Sequence, residues 1–194
     1  MSDRSDAFEV LAALDRVFEA AGVRWYLFGA QAVIVWGRPR LTADVDVTVA
    51  LAPAEVERIL PPLEAASFDP RPEHPSDFVL KTRILPLIHQ PTGIPVDLVF
   101  AGPGLEMEFL ENAREIDISG LEIPVISPED LVIAKVLAGR PKDMEDAESV
   151  VAEQADALDL GRIRHWLGRL EEALDRRDLL PEVECMVERS RRRG

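Results

Sequence analysis

The sequence predicts an α+β fold: a mixed β-sheet with flanking helices, followed by a wholly helical C-terminal part. Two observations carry this. Up to about residue 126, short runs with a period of two alternate with runs of helical period. From Ser127 onward only the helical period continues. The expected organisation is therefore an α/β core over 1–126 and a helical region over 127–194 packed on it.

The elements follow in order. Residues 6–21, "DAFEVLAALDRVFEAA", place Phe8, Leu11, Leu14, Val17 and Phe18 on one helical face, and Gly22 stops the helix. "VRWYLF" (23–28) reads as a short buried strand broken by Gly29. "AQAVIVWG" reads as a short helix closed by Gly37, and "ADVDVTVA" alternates as a second strand. "APAEVERILPPLEAA" starts as a helix at Pro53 that Pro61 and Pro62 disturb or end. Residues 69–76 read as a proline-rich loop. "DFVLKTRILPLIH" reads as one long strand or two, with Lys81 and Arg83 on one face, lining a cleft or simply solvated. The turn "QPTG" leads into the strand "IPVDLVF", and "EIDISGLEIPVI" reads as a hairpin around Ser119-Gly120. "SPEDLVIAKVLAG" opens with a serine cap, a proline and two acids, and closes at Gly139. Three further helical stretches complete the chain.

Composition narrows the function. The formal net charge is −14, which repels phosphate backbones and argues against extended nucleic acid as a partner. The tail "ERSRRRG" reverses the sign locally, either as a solvated end or as a small basic contact. No apolar run reaches the ~18 residues of a membrane span. The opening residues, "MSDRSDAFEV", are polar and acidic, so no targeting leader is expected. With a single cysteine, Cys185, no internal disulfide forms, and a cytoplasmic location is expected.

The chemistry concentrates between residues 28 and 50. Asp44 and Asp46 lie two apart on a strand, so both carboxylates emerge on one side while Val45, Val47 and Val49 face the other. Two such carboxylates repel, and a divalent cation such as Mg²⁺ stabilises them. Asp97 sits among apolar residues of another strand, where an ionised group needs a partner. If that strand neighbours the first, the three acids form one metal site able to hold two ions ~4 Å apart for in-line phosphoryl displacement. Otherwise Asp97 is a water-exposed strand end. Gly29 ends a strand just before a helix, whose first N–H groups suit phosphate oxygens. Arg38 and Arg40 offer further anion contacts or belong to a solvated loop. The three histidines have no metal-ligand spacing.

Gly29-Ala30, the spacer 31–43, and then Asp44-Val45-Asp46-Val47 resemble the signature of the DNA polymerase β-type nucleotidyltransferase superfamily. "FGAQAVIVWGRPRLTADVDV" is most similar to small bacterial AbiEii-type nucleotidyltransferases, toxins of toxin–antitoxin pairs, and their relatives. "KVLAGRPKDMEDAESV" resembles a second block of those proteins, in which a helical lysine and a following aspartate complete the active site. The resemblance implies a metal-dependent transfer of a nucleoside monophosphate from an NTP to an acceptor hydroxyl on a protein, a small molecule or an RNA end. It implies Asp44, Asp46 and Asp97 as catalytic metal ligands, Lys135 as catalytic, and Gly29, Ala30, Gln31, Arg40 and Asp143 as nucleotide-binding. Taken from the residues alone, Lys135 can also be a lysine whose stem covers core surface, Asp143 and Asp146 can cap the helix starting near Pro141, and Asp146 can simply pair with a neighbouring base. The family usually has Gly-Gly or Gly-Ser at the turn, and Ala30 departs from it by lacking a hydroxyl. The competing expectation is a catalytically silent module of the same fold, bound to an antitoxin-type protein.

Overall fold

In a computed structural model, residues 2–193 are described, with side chains from 6 to 192. The expected frayed end of the tail falls partly outside them, at Gly194; the helical ladder runs on to Arg193. In chain order the elements are α1 (Ser2–Ala21), β1 (Trp25–Phe28), α2 (Gly29–Trp36), β2 (Val45–Val49), a 3-10 turn (Pro53–Arg58), α3 (Leu60–Ala65), β3 (Phe68–Pro70), α4 (Pro75–Thr82), β4 (Ile84–His89), β5 (Ile94–Phe100), α5 (Leu105–Glu111), β6 (Arg114–Ile118), β7 (Leu121–Val125), α6 (Pro128–Ala138), α7 (Pro141–Gln154), α8 (Leu160–Leu174) and α9 (Leu179–Arg193). They fall into two compact units, one of Met1–Gln31 with Leu41–Ile126, the other of Ala32–Arg40 with Ser127–Gly194.

The first unit holds one seven-stranded mixed sheet in the order β3-β4-β5-β2-β1-β7-β6. β2 runs parallel to β5 and antiparallel to β1. The alternation read from the sequence sorts residues onto two faces. Val45, Val47, Val49, Val96, Leu98, Leu85 and Leu87 are all buried. α1 and α3 contribute Leu14, Phe18 and Leu63 to this core, and the Phe18 and Trp25 rings lie 5.5 Å apart. Asp46, Asp97 and Pro86 alternate with these residues and are half-buried.

The second unit is helical. Ser127 caps α6 by accepting a hydrogen bond from the Asp130 amide, and Pro128 occupies the first helical position. Gly139 ends α6 in the left-handed region. Arg162 of α8 clamps the fully buried Asp130 of α6 with Nε and Nη2, at 2.8 and 3.1 Å.

Three local expectations are corrected. The helix expected from Pro53 is a 3-10 turn that stops at Arg58, as the two prolines lead one to expect, but Pro61 and Pro62 also lie in the first turn of a new helix, α3, where a proline N–H is not needed. "DFVLKT" is not strand but the helix α4, opened by Pro75 and closed by Arg83 at φ 61°. Lys81 and Arg83 consequently share no strand face: Lys81 is in the last turn of α4, while Arg83 turns inward and donates to the carbonyls of Phe100 and Ala101. The residues read as loop from Asp69 contain the end of the edge strand β3, and α5 lies in a stretch to which the sequence reading gives no element.

Candidate functional site

The two strand acids are neighbours. Asp46 of β2 pairs in register with Asp97 of β5, and registered residues project to the same face of a sheet. The same row continues on both sides: Phe28 of β1 pairs with Asp46, and Pro86 of β4 pairs with Asp97. The chain leaves β1 at Phe28, so the next residue, Gly29, arrives beside Asp46. There it takes φ 64°, and a Cβ on Gly29 would fall 1.9 Å from Asp46 Oδ2. Only glycine fits, by backbone angle and by space. The carboxylate of Asp46 thus lies directly against the turn from which α2 begins. Ala30 is buried at the first turn of α2, whose leading N–H groups have no partner within the helix.

Asp44 lies one residue ahead of β2 and is exposed. Its carboxylate accepts a hydrogen bond from the Thr42 hydroxyl, and its carbonyl accepts one from Gln31 Nε2 at 3.4 Å. Gln31 and Thr42 therefore shape the lead into β2. Thr42, which in the sequence reads simply as a strand start, is a direct partner of Asp44; the Thr-x-Asp spacing was the available signal.

Among the described residues, no three His, Cys, Asp or Glu side chains converge as a ready metal-holding group. The residues nonetheless suit a divalent cation. Asp46 and Asp97 are side by side, their donors are all carboxylate oxygens, as hard cations prefer, and a bare glycine keeps one carboxylate clear of side-chain bulk.

In the second unit, five charged side chains form a chain. Lys135, only 8% exposed, donates from Nζ to Asp143 Oδ1 at 2.9 Å and to Asp146 Oδ2 at 2.8 Å. Arg140 grips Asp143, and Arg40 clamps Asp146 through Nε and Nη2 at 2.8 and 2.9 Å. Burial alone would raise both aspartates. Hydrogen bonds from Arg140 and Lys135 on Asp143, and from Arg40 and Lys135 on Asp146, outweigh it and hold both below the usual carboxylate range. Arg38 is likewise engaged, with Glu153 at 3.0 Å. Of the candidates drawn from the sequence, the first unit brings together Gly29, Ala30, Asp46 and Asp97, with Gln31 and Asp44 adjoining. Lys135, Asp143 and Arg40 form one cluster in the second unit.

Comparison with known proteins decides the class. A family described as nucleotidyltransferase of unknown function (DUF6036) matches residues 7–179. The chain belongs to that family. Its class of chemistry is nucleotidyl transfer, as the Gly29 turn and the acid strand led one to expect. The match establishes a nucleotidyltransferase without distinguishing the AbiEii-type subgroup. No curated protein matches. Among solved structures, the fold is shared with the antibiotic-resistance factor ANT(2'')-Ia (13% identity, TM-score 0.56, 89% of this chain and 94% of that one). It is also shared with an antigenic nucleotidyltransferase-like protein from Paracoccidioides brasiliensis (15% identity, TM-score 0.56, 92% and 90%). A third such structure is the lincosamide antibiotic adenylyltransferase LnuA, lincomycin-bound (18% identity, TM-score 0.50, 73% and 94%). At these identities the likeness is one of fold. Among the described residues, no helix is long and apolar enough to cross a membrane.

Proposed function

We propose that this nucleotidyltransferase moves a nucleoside monophosphate from an NTP to an acceptor hydroxyl, and that it does so with a divalent cation, Mg²⁺ by preference, held by Asp44, Asp46 and Asp97. The observation that carries this reading is the registered pair Asp46–Asp97 with Gly29 folded against Asp46. Bound there, the cation would supply neutralisation of the phosphate charge. The first amides of α2 bind phosphate oxygens, because unpaired N–H groups and the helix dipole both favour an anion. The acceptor hydroxyl attacks the α-phosphorus, its proton passes to the Asp97 carboxylate, the bond from that phosphorus to the bridging oxygen breaks, and pyrophosphate leaves. For Lys135 the observed pairing supports a positioning role: it ties α6 to α7 through two carboxylates.

The test is thermal stabilisation by ATP, GTP, CTP and UTP with and without Mg²⁺, followed by transfer of label from the α-phosphate. Asp46→Asn should keep the thermal midpoint of the ligand-free chain and lose transfer by a hundredfold or more, on the order expected for removing a charged group at the reacting centre. Transfer that persists in Asp46→Asn refutes the metal-site assignment.

A further inference from the structure

The row of residues that carries the acid pair continues into a cavity. On one side of Asp46 lies the Gly29 turn; on the other lie Asp97 and then Pro86, its register partner on β4. Pro86 forms part of the wall of a cavity of about 640 Å³, together with Arg71, Glu73, Asp77, Phe78 and Lys81. Strands are spaced ~4.8 Å apart, so the wall at Pro86 stands about one strand from Asp97 and two from Asp46. All of these residues belong to the first unit.

We infer that this cavity seats the acceptor, and that the acceptor is a hydroxylated small molecule with an apolar face and charged groups. The inference rests on the function proposed above and names its second substrate. Three observations carry it. The first is order along the row. In-line displacement needs the incoming hydroxyl opposite the leaving pyrophosphate. The phosphate-binding turn lies to one side of the acid pair, and the cavity lies to the other, next to the carboxylate that takes the hydroxyl proton. The second is size, since 640 Å³ falls within the roughly 300–1,000 Å³ of small-molecule sites. The third is chemistry. Phe78 exposes 37% of its surface, a ring face open to an apolar or cationic group. The side chains of Arg71, Glu73, Asp77 and Lys81 form no ion pair with any described residue, although both signs are present around one cavity. On a chain of net charge −14, a wall whose two carboxylates are balanced by Arg71 and Lys81 lacks the net positive charge that an RNA end would favour.

The experiment uses the full chain, NTP labelled at the α-phosphate, Mg²⁺, and three fractions of cell extract offered separately: dialysable molecules, protein and RNA. Label is expected in the dialysable fraction. Phe78→Ala and Asp77→Asn should each raise the half-saturating amount of that fraction roughly tenfold, the scale of one lost aromatic or ionic contact. Phe78→Tyr should restore it, which a general loss of structure would not allow. Label confined to protein or to RNA overturns the inference. So does label in small molecules that neither variant affects, and so does an absence of transfer to any fraction. Mg²⁺-dependent stabilisation of the unaltered chain by NTP separates the two levels. If it is present, only the acceptor assignment has failed; if it is absent, the proposed function falls and takes the acceptor with it.

Discussion

Gly29 is the residue on which the candidate site turns. Its φ of 64° and the 1.9 Å that would separate a Cβ from Asp46 Oδ2 leave no room for alanine. Gly29→Ala is therefore expected to lose about 1–3 kcal/mol of stability from backbone strain alone, and to displace Asp46 besides. Chemical denaturation should show the first effect and loss of Mg²⁺-dependent NTP stabilisation the second; a variant with unchanged nucleotide binding would remove Gly29 from the site. Lys135 is the corresponding residue of the second unit. Lys135→Met removes the cation shared by Asp143 and Asp146. Each acid keeps an arginine, so the loss should stand near the lower end for a broken buried pair, about 3 kcal/mol, measured by urea unfolding. Lys135→Arg should recover part of it. The acids, the glycine and the lysine were all legible in the sequence, because spacing and apolar surroundings mark them. That Asp146 pairs with a base was one of the sequence's alternatives; that its partners are Arg40 and Lys135 was not legible, since Arg40 and Asp146 are distant in sequence.

Elements were legible where a period ran long enough or a cap was present. The Ser127-Pro128 start and the Gly139 stop of α6 fall where the sequence places them. The hairpin at Ser119-Gly120 is a two-residue loop with both φ values positive, 59° and 91°. Such loops favour asparagine at the first position, so Ser119→Asn should stabilise the chain by a few tenths of a kcal/mol, seen as a small rise in thermal midpoint. A fall would show that the Ser119 side chain matters in another way. α4 was misread for a physical reason. "DFVLKT" and "ILPLIH" are both short apolar runs, and six residues do not separate a period of 3.6 from one of two. Pro75 ahead of Asp77 was the overlooked helix-start signal, and Arg83 in the left-handed region supplies the stop without a glycine. The cavity wall built by α4 was lost with it.

At the scale of the whole chain, acid is the informative variable. Asp143 and Asp146 titrate below their unfolded value near 3.8, so their contribution is present above that pH and is lost as pH falls through the depressed folded values. Asp130 acts in the opposite sense. Burial raises it and the Arg162 clamp only partly offsets this, so its contribution is kept in acid and lost as pH rises. Glu55, Asp178 and Glu184 are lowered as well, by their arginine and backbone hydrogen bonds, while burial raises Asp15 and Glu115; the lowered acids outnumber the raised ones, and the helical signal in circular dichroism should fall on acidification below about pH 4. Asp143→Asn should flatten that dependence; an unchanged slope would show that the ion-pair chain does not govern acid stability. The net charge of −14 was the other whole-chain property open to reading, and it bears on the acceptor by disfavouring long nucleic acid.

Local period in the sequence determined the class of fold, and the family resemblance pointed to the class of chemistry and to the candidate acids. Tertiary structure decided what depends on register. It set Asp97 beside Asp46 and Pro86 beside Asp97, laid Gly29 against a carboxylate seventeen positions onward, and opened a cavity at the end of that row. Strand pairing brings together residues far apart along the chain, and no short window of sequence records which strands will pair.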